Sequence, residues 1–253
     1  MWRPVTKSKP CKICEKPDWC TFDSENGDRC CMRVESTKPM RNGGWLHSGN
    51  YRSIGVWRVP RNPEPMRPKL TSRQLETMNR RYQLAVNESM LYSWATDLGV
   101  CGSALDQLWV GWDGEATTFP MFNAAVEIVG IRRRFGNGKK LSVKGGREGI
   151  FGVQALRPGP LWIAEGASDT AYLLSIGLNA IGLPSCTGGV PYLEQICKGR
   201  QFPVTIVADN DEPGIRGALS LAKRIEAKVV IPPDGCKDVR QWRPTREELE
   251  KLS

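Results

Sequence analysis

The C-terminal part of the chain alternates short apolar runs with segments in which apolar residues recur every three or four positions. The apolar runs have the length of strands and predict β-strands at 161–165, 179–183, 204–209 and 227–231. The segments between them have the helical period and predict helices at roughly 168–177, 190–198 and 213–226. Strands that alternate with helices form parallel sheets, so we expect a doubly wound α/β fold here.

Apolar residues at helical spacing also run through 71–100. They predict a helix that begins at Thr71 or Ser72 and ends near Gly99, with its apolar face formed by Leu75, Met78, Tyr82, Val86 and Met90. From about 109 to 155 the pattern changes to short strands separated by glycines. Within this part Gly136-Asn137-Gly138 predicts the turn of a β-hairpin.

The first 60 residues contain few long apolar stretches, so they offer too little core for a free-standing fold without a metal ion. Four prolines between residues 58 and 70 are typical of a stiff, extended linker. These changes in composition predict four segments: an N-terminal module (1–60), a linker (61–70), a basic segment (71–158) and the α/β segment (159–253).

Five of the nine cysteines lie within residues 11–31. A C-x-x-C pair there is the usual first half of a tetrahedral zinc site, and an odd number of cysteines does not suit a disulfide framework. We therefore expect a structural zinc ion. Its candidate ligands are Cys11, Cys14, Cys20 and either Cys30 or Cys31, with His47 as a further candidate.

The positive charge is concentrated in the front of the chain. Residues 1–155 contain 24 Lys and Arg against 15 Asp and Glu, whereas residues 156–253 contain 12 of each. Such an excess indicates a polyanionic partner, most plausibly nucleic acid. The N-terminus has no apolar signal segment, and no apolar run approaches the ~18 residues of a membrane span. We expect a cytoplasmic protein that does not enter membranes.

Two of the predicted strands end in acids. Glu165 ends one strand, and Asp209 ends another, with Asp211 two residues later. The carboxyl ends of parallel strands meet at one edge, and residues two apart in extended backbone point to the same side. Converging carboxylates repel one another unless a cation lies among them, and oxygen ligands favour Mg²⁺ or Mn²⁺ over zinc. The alternative is that each acid caps the following helix; the pairing of Glu165 with the two aspartates favours the metal site.

A strongly basic stretch precedes the parallel sheet. Residues 131–148 contain seven Lys and Arg and one acid. In an extended strand Arg132 and Arg134 share one face, and Lys140 and Lys144 can extend the same ridge. Such a ridge can clamp the phosphates of a nucleotide or a template strand. The alternative is a solvated strand edge, where basic residues oppose aggregation.

The Glu165-Gly166 pair and the Asp209-x-Asp211 pair, in this order of strands and helices, resemble the Toprim fold of bacterial primases, topoisomerases and some nucleases. Further segments resemble the DnaG-type primases of bacteria and phages: 119–135 and 139–152, E-G-x-x-D at 165–169, and P-D-G-C-K-D at 233–238. The resemblance covers about 70–242. It implies a small zinc-ribbon-like N-terminal module followed by a primase catalytic core whose Toprim subdomain is a parallel-sheet α/β structure.

The resemblance implies a DNA primase that synthesises short RNA primers from NTPs on single-stranded DNA by two-metal nucleotidyl transfer. It implies that Glu165, Asp209 and Asp211 bind Mg²⁺ or Mn²⁺, that Asp169 is a supporting acid, and that nucleotide and template are bound by Arg132, Arg134, Lys140 and Lys144. The stretch that begins at Cys31 resembles zinc modules of such primases, which favours Cys31 over Cys30 as the fourth ligand. A replicative helicase is a candidate partner, in a phage or plasmid setting among others.

One position departs from the family pattern. The family usually has a second acid two residues after the position of Asp238, where this chain has Arg240.

Two other functions use similar parts: a Toprim nuclease, and a non-enzymatic recombination factor that combines a zinc site with a Toprim fold. The basic segment ahead of the fold favours the primase over both.

Overall fold

The computed structural model describes residues 2–41, 43–48, 69–185 and 187–252. The chain divides into two compact units, Met1–Met66 and Arg67–Ser253. Most of the predicted linker, 61–68, lies outside the described residues, and its role stays a prediction. At the end of that segment the backbone nitrogen of Leu70 donates a hydrogen bond to the carbonyl of Gly145 (2.9 Å), within the second unit. None of the helices described here has both the length and the apolar character that crossing a bilayer requires.

The N-terminal unit contains a four-stranded antiparallel sheet with its strands in chain order. The strands are β1 (Trp2–Pro4), β2 (Thr21–Asp23), β3 (Arg29–Cys31) and β4 (Trp45–His47). Its buried cluster contains Val5 and three cysteines, Cys11, Cys20 and Cys31, with a few half-buried apolar neighbours. The thiols therefore occupy most of this interior. An apolar core of this size contributes little stability on its own.

The second unit begins with three helices, α1 (Ser72–Leu84), α2 (Glu88–Leu98) and α3 (Gly102–Gln107). The prediction of one helix between 71 and 99 is wrong, because the chain breaks after Leu84. Asn87 is the reason: its side chain accepts a hydrogen bond from the backbone nitrogen of Met90 (2.9 Å) and starts a new helix. The predicted stop is correct, since Gly99 ends α2 with a φ of 66°.

An antiparallel sheet follows, again with its strands in chain order. Its strands are β5 (Gly111–Trp112), β6 (Thr117–Phe122), β7 (Ile128–Arg134) and β8 (Lys140–Ser142). The predicted hairpin is confirmed, since β7 pairs with β8 across the turn at 136–138. A short 3-10 helix, Val153–Ala155, then leads towards the second sheet of this unit.

The predicted parallel sheet is confirmed, and its strand order is β10-β9-β11-β12. Its strands are β9 (Leu161–Glu165), β10 (Ala180–Leu183), β11 (Val204–Val207) and β12 (Lys228–Val230). The connecting helices are α4 (Ala167–Ser175), α5 (Val190–Cys197) and α6 (Glu212–Ile225), and the chain continues through α7 (Val239–Trp242) and α8 (Arg246–Glu250). The two acid-bearing strands, β9 and β11, are therefore neighbours at the centre of the sheet.

Both faces of the parallel sheet are buried. Trp162 and Ala164 of β9 lie in one apolar cluster, with residues of α4, α7 and α8. Leu161 and Ile163 of the same strand lie in a second cluster, with residues of α5 and α6. Burying side chains of this size stabilises a fold by roughly 1.5–3 kcal/mol each, so the central strands are firmly fixed. The acids at their carboxyl ends therefore follow strands that are buried on both faces.

Candidate active site and metal centre

Four cysteine sulfurs converge in the N-terminal unit. The Sγ atoms of Cys11, Cys14, Cys20 and Cys31 all lie within 4.8 Å of one another. The first pair lies in a tight turn, where the backbone nitrogen of Cys11 donates to the carbonyl of Lys16 (2.9 Å). Cys20 directly precedes β2, and Cys31 is the last residue of β3. The structure thus brings together the four thiols selected from the sequence.

Hydrogen-bond donors point at these sulfurs. The backbone nitrogen of Met32 lies 3.4 Å from Cys20 Sγ, and that of Val34 lies 3.3 Å from Cys31 Sγ. Burial raises the pKa of Cys20 to about 11, so this thiol stays protonated at neutral pH unless a cation binds. Three buried thiols and the half-buried thiol of Cys14, with backbone donors at Cys20 and Cys31, fit the tetrahedral, all-sulfur site that zinc prefers, and the cluster supports zinc binding.

The two alternative ligands lie elsewhere. The sulfur of Cys30 lies beside Gly44, so close that a Cβ atom added to Gly44 would be 2.6 Å from it. The Nε2 atom of His47 lies 3.0 Å from the carbonyl oxygen of Val34. Neither residue contributes an atom to the four-sulfur group found within the described residues.

In the second unit, the acids follow the two central strands. Ala164 pairs with Val207 across the ladder, so Glu165 and Asp209 leave the sheet at the same edge. Asp169 lies in the first turn of α4 and is buried, and Asp211 is the N-cap of α6. The sheet topology therefore gathers all four predicted acids at the carboxyl ends of β9 and β11, as expected for parallel strands.

Burial and the negative charges of neighbouring acids raise the pKa of Glu165, Asp169 and Asp209. Burial, together with the charges of Asp169, Glu165 and Asp238, raises the pKa of Asp209 to about 7. Burial also raises the pKa of Glu165; Lys140 opposes this shift, and Asp211 and Asp169 add to it. A cation bound among these groups would relieve the repulsion and keep them ionised.

The acids also differ in how many hydrogen bonds their carboxylate oxygens accept. Among the described residues, the carboxylates of Glu165 and Asp209 have no hydrogen-bond donor. Asp211 uses only Oδ1, which accepts from the backbone nitrogen of Gly214 (2.8 Å). Free carboxylate oxygens of this kind fit the oxygen ligands of Mg²⁺ or Mn²⁺. They are less closely grouped than the thiols, because the cysteine cluster is the one group of three or more potential metal ligands found among the described residues.

The basic residues of β7 and β8 face the same region. Arg132, Arg134 and Lys140 line one narrow cleft together with Gly166 and Ser168 at the start of α4. Arg134 is half-buried and makes no hydrogen bond or ion pair with any described residue; burial lowers its pKa, and the nearby charge of Arg240 lowers it further. A half-buried arginine that makes no hydrogen bond or ion pair within the described residues suits an anionic ligand.

The four predicted basic residues are not equivalent. Arg132 already donates hydrogen bonds to the carbonyl of Pro184 (2.8 Å) and to the hydroxyl of Ser142 (3.1 Å). Lys144 is exposed, lies two residues beyond β8 and does not line the cleft. Arg134 and Lys140 are thus the two whose charges remain directed into the cleft.

Three residues near the acids received no role from the sequence. Asn210 donates hydrogen bonds to carbonyls of the loop 232–236, and Asp238 caps α7. Arg240 forms ion pairs with both Asp169 and Asp238. The available signals were the P-D-G-C-K-D segment, which contains Asp238, and the arginine at 240, where the resemblance expects an acid.

Several known proteins are similar to this chain. No family model matches it. Gene 57 protein of Mycobacterium phage D29 is 29% identical over 120 residues, which cover 46% of this chain and 78% of that protein. A DnaG catalytic core superposes with a TM-score of 0.58 and 17% identity, over 72% of this chain and 79% of that chain. A DnaG catalytic domain bound to single-stranded DNA gives 0.55 and 16%, over the same shares.

The primase fragment of the bacteriophage T7 primase-helicase protein matches the whole molecule. It covers 100% of this chain and 99% of that chain, with a TM-score of 0.51 and 15% identity. The chain has the fold of the DnaG primases. Its DnaG-like fold combines a four-thiol N-terminal unit with a mixed α/β core, as the sequence predicted. At these identities the likeness establishes the fold.

Proposed function

We propose that the protein is a DNA primase that synthesises short RNA primers from NTPs on single-stranded DNA. The observation that carries the proposal is the juxtaposition of two groups of side chains. Carboxylates without hydrogen-bond donors lie at the ends of β9 and β11, and a basic cleft along β7 and β8 borders the same sheet edge. Nucleotidyl transfer needs both groups, since triphosphate and metal ions must meet at the reacting phosphorus.

In this proposal Glu165, Asp209 and Asp211 hold Mg²⁺ or Mn²⁺, and Asp169 supports them from α4. When bound, such ions activate the attacking hydroxyl and stabilise the leaving pyrophosphate of an in-line displacement. The carboxylates themselves position the ions, because β9 and β11 fix them on adjacent central strands. Glu165 and Asp209 are half-buried, which limits the access of competing water to them.

The basic residues would bind the phosphates. Arg134 and Lys140 are the proposed contacts to the triphosphate, because their charges point into the cleft without an internal ion pair among the described residues. Arg132 would shape the cleft wall and add charge, and exposed Lys144 would contact the template backbone. The positive excess of residues 1–155 supports a nucleic-acid partner, and a DnaG catalytic domain of this fold binds single-stranded DNA.

The N-terminal unit would hold a structural zinc ion through Cys11, Cys14, Cys20 and Cys31 and help to select the template. A thiolate-bound zinc would replace the hydrophobic core that the unit lacks. The T7 fragment belongs to a primase-helicase protein, which makes a replicative helicase a candidate partner of this chain as well.

A primer-synthesis assay tests the proposal. The protein is incubated with mixed single-stranded DNA templates, labelled NTPs and Mg²⁺ or Mn²⁺, beside the double variant Asp209→Asn, Asp211→Asn. Asparagine keeps the N-cap of α6, so the variant should fold. The matched control is Asp97→Asn, Asp106→Asn, which changes two exposed acids on α2 and α3.

We expect template-dependent RNA from the wild type and the control, and none from the site variant. Metal-dependent cutting of the template without synthesis would instead identify a nuclease that uses the same acids. Tight DNA binding that the site variant retains, with neither activity, would favour a non-enzymatic DNA-binding factor.

A further inference from the structure

The guanidinium of Arg240 lies between two of the acids. Its Nε atom is 3.0 Å from Oδ1 of Asp169, and its Nη2 atom is 3.4 Å from Oδ2 of Asp238. Asp169 and Asp238 belong to different elements, α4 and the N-terminus of α7, and the arginine joins them. The three side chains are largely buried, with 24% of the arginine, 9% of Asp169 and 14% of Asp238 exposed.

Every carboxylate oxygen of this pair already has a donor. The second oxygen of Asp169 accepts from the hydroxyl of Ser168 (3.4 Å). Oδ1 of Asp238 accepts from the backbone nitrogens of Arg240 (3.1 Å) and Gln241 (2.9 Å). Glu165 and Asp209 have no donor among the described residues, so the acids divide into an occupied pair and an open group.

The segment that carries Arg240 is fixed from both sides. Val239 is buried in the same apolar cluster as the residues of α4, and Trp242 packs against that cluster. The hydroxyl of Tyr172 on α4 donates to the carbonyl of Pro244 (3.0 Å). The arginine is therefore held against Asp169 by the fold and does not depend on the ion pair alone to keep its place.

An arginine keeps its charge at any physiological pH, whereas a divalent cation dissociates. A buried guanidinium between two carboxylates neutralises them, occupies their lone pairs and repels a further cation. We propose that Arg240 is a resident counter-ion that closes Asp169 and Asp238 to divalent cations and restricts cation binding to Glu165, Asp209 and Asp211. This inference rests on the proposed function for its metal site and adds a positioning residue to it.

Manganese binding tests the inference without any primer synthesis. Free Mn²⁺ is measured by electron paramagnetic resonance while the zinc-loaded full chain is titrated with Mn²⁺ alone. We expect Arg240→Met to bind one more Mn²⁺ per chain than the wild type, because two carboxylates lose their counter-ion. Arg240→Met combined with Asp238→Asn should return to the wild-type number, and Arg240→Lys, which retains the charge, should also keep it.

Single variants in the presence of Arg240 keep the test decisive if Arg240→Met does not fold. Asp209→Asn should weaken Mn²⁺ binding at least about tenfold, the size of losing one charged ligand. Asp238→Asn preserves the cap of α7 and should leave the affinity within about twofold, since that carboxylate is closed.

Three results would overturn the inference: a folded Arg240→Met variant with the wild-type number of ions, a large loss of Mn²⁺ affinity in Asp238→Asn, or a wild type that binds no Mn²⁺. If Mn²⁺ binds as expected but no primers are made, the proposed function fails and the role of Arg240 stands.

Discussion

The side-chain nitrogen of Asn210 lies 3.1 Å from the carbonyl oxygen of Cys236 and donates a hydrogen bond to it. The same nitrogen also donates to the carbonyl oxygens of Pro232 (3.1 Å) and Pro233 (3.3 Å). The backbone nitrogen of Asn210 donates a hydrogen bond to the carbonyl oxygen of Lys237 (2.6 Å). Asn210, which lies between the two aspartates, thus holds the loop that leads to Asp238 in place through hydrogen bonds. It turns away from the acids, as the alternation of side chains requires, and stabilises the neighbouring wall of the site.

Replacing Asn210 with aspartate should therefore destabilise the fold. The variant loses the donor and places a carboxylate against three carbonyl oxygens, which costs about 1–3 kcal/mol of unfolding free energy. Chemical denaturation measures the loss. The control is Asn137→Asp in the β7–β8 turn, where the side-chain oxygen accepts from the backbone nitrogen of Lys139 and aspartate can do the same. Equal stability of the two variants would contradict the assigned role.

The two adjacent cysteines of β3 should differ in metal binding. Cys31→Ser removes one of four converging sulfurs and should lower the zinc content of the purified protein well below one ion per chain. Cys30→Ser should retain a full equivalent, because Cys30 Sγ faces Gly44 instead of the cluster. Metal analysis by mass spectrometry measures both. Zinc loss from Cys30→Ser with retention in Cys31→Ser would reverse the ligand assignment.

The raised pKa of Asp209 predicts a pH-dependent stability of the protein without divalent cations. Its pKa rises from 3.8 to about 7 on folding, so the folded state binds the proton more tightly than the unfolded state. The resulting stabilisation is full below pH 3.8 and is lost as the pH rises through about 7. We expect the melting temperature of the wild type to fall relative to Asp209→Asn between pH 5 and pH 8.

Mg²⁺ should restore part of the wild-type melting temperature at pH 8 and leave Asp209→Asn nearly unchanged, because the ion stabilises the ionised carboxylate. A difference between the two proteins that stays constant from pH 5 to pH 8 would show that Asp209 titrates normally.

Two neighbouring lysines offer a test of the basic cleft. Both side chains are exposed, but only Lys140 lines the cleft and should contact the triphosphate, whereas Lys139 lies between the turn and β8. Lys140→Met should raise the KM for NTPs about tenfold, corresponding to one lost charged contact, and Lys139→Met should leave it unchanged. Steady-state primer synthesis at varied NTP concentration gives both values. A similar KM in the two variants would remove Lys140 from the nucleotide site.

Gly130 in β7 should not tolerate a side chain. A Cβ atom there would lie 2.0 Å from the carbonyl oxygen of Arg147 and 2.9 Å from Cε of Met121. Gly130→Ala must push the 147 segment away from the strand and should cost roughly 1–3 kcal/mol of stability. Gly136→Ala is the control, since nothing lies within 4 Å of its Cβ position. Thermal denaturation compares them, and a Gly130→Ala variant as stable as Gly136→Ala would refute the crowding.

The parallel sheet could be predicted from sequence because its signal is local. Each buried strand is a short apolar run, and each helix between the strands has a clear apolar face, so the elements β9 to β12 lie close to the predicted ranges. The helix over 71–99 was harder, because its apolar spacing continues across Val86 while the break depends on one side chain, that of Asn87. Period alone does not detect such a cap.

The composition of the acid cluster could be predicted only in part. Glu165, Asp209 and Asp211 follow from strand ends, which is a local property. The pairing of Arg240 with Asp169 joins residues 71 positions apart, and it depends on how α7 packs against α4. The sequence pattern likewise predicts the same role for Lys140 and Lys144. Their difference arises from the course of the chain after β8, which places Lys140 in the cleft and Lys144 outside it.

The pairing of Ala164 with Val207 in the middle of the sheet has a consequence for how sequence changes could alter this protein. Side chains in extended chain alternate between two sides, so a one-residue insertion or deletion within β11 would exchange the orientations of the residues that follow. Asn210 would then turn towards Glu165, and both aspartates would turn away. Substitutions at this edge can adjust the chemistry gradually, but length changes in β11 would abolish it in one step, so variation in length should be confined to the loops.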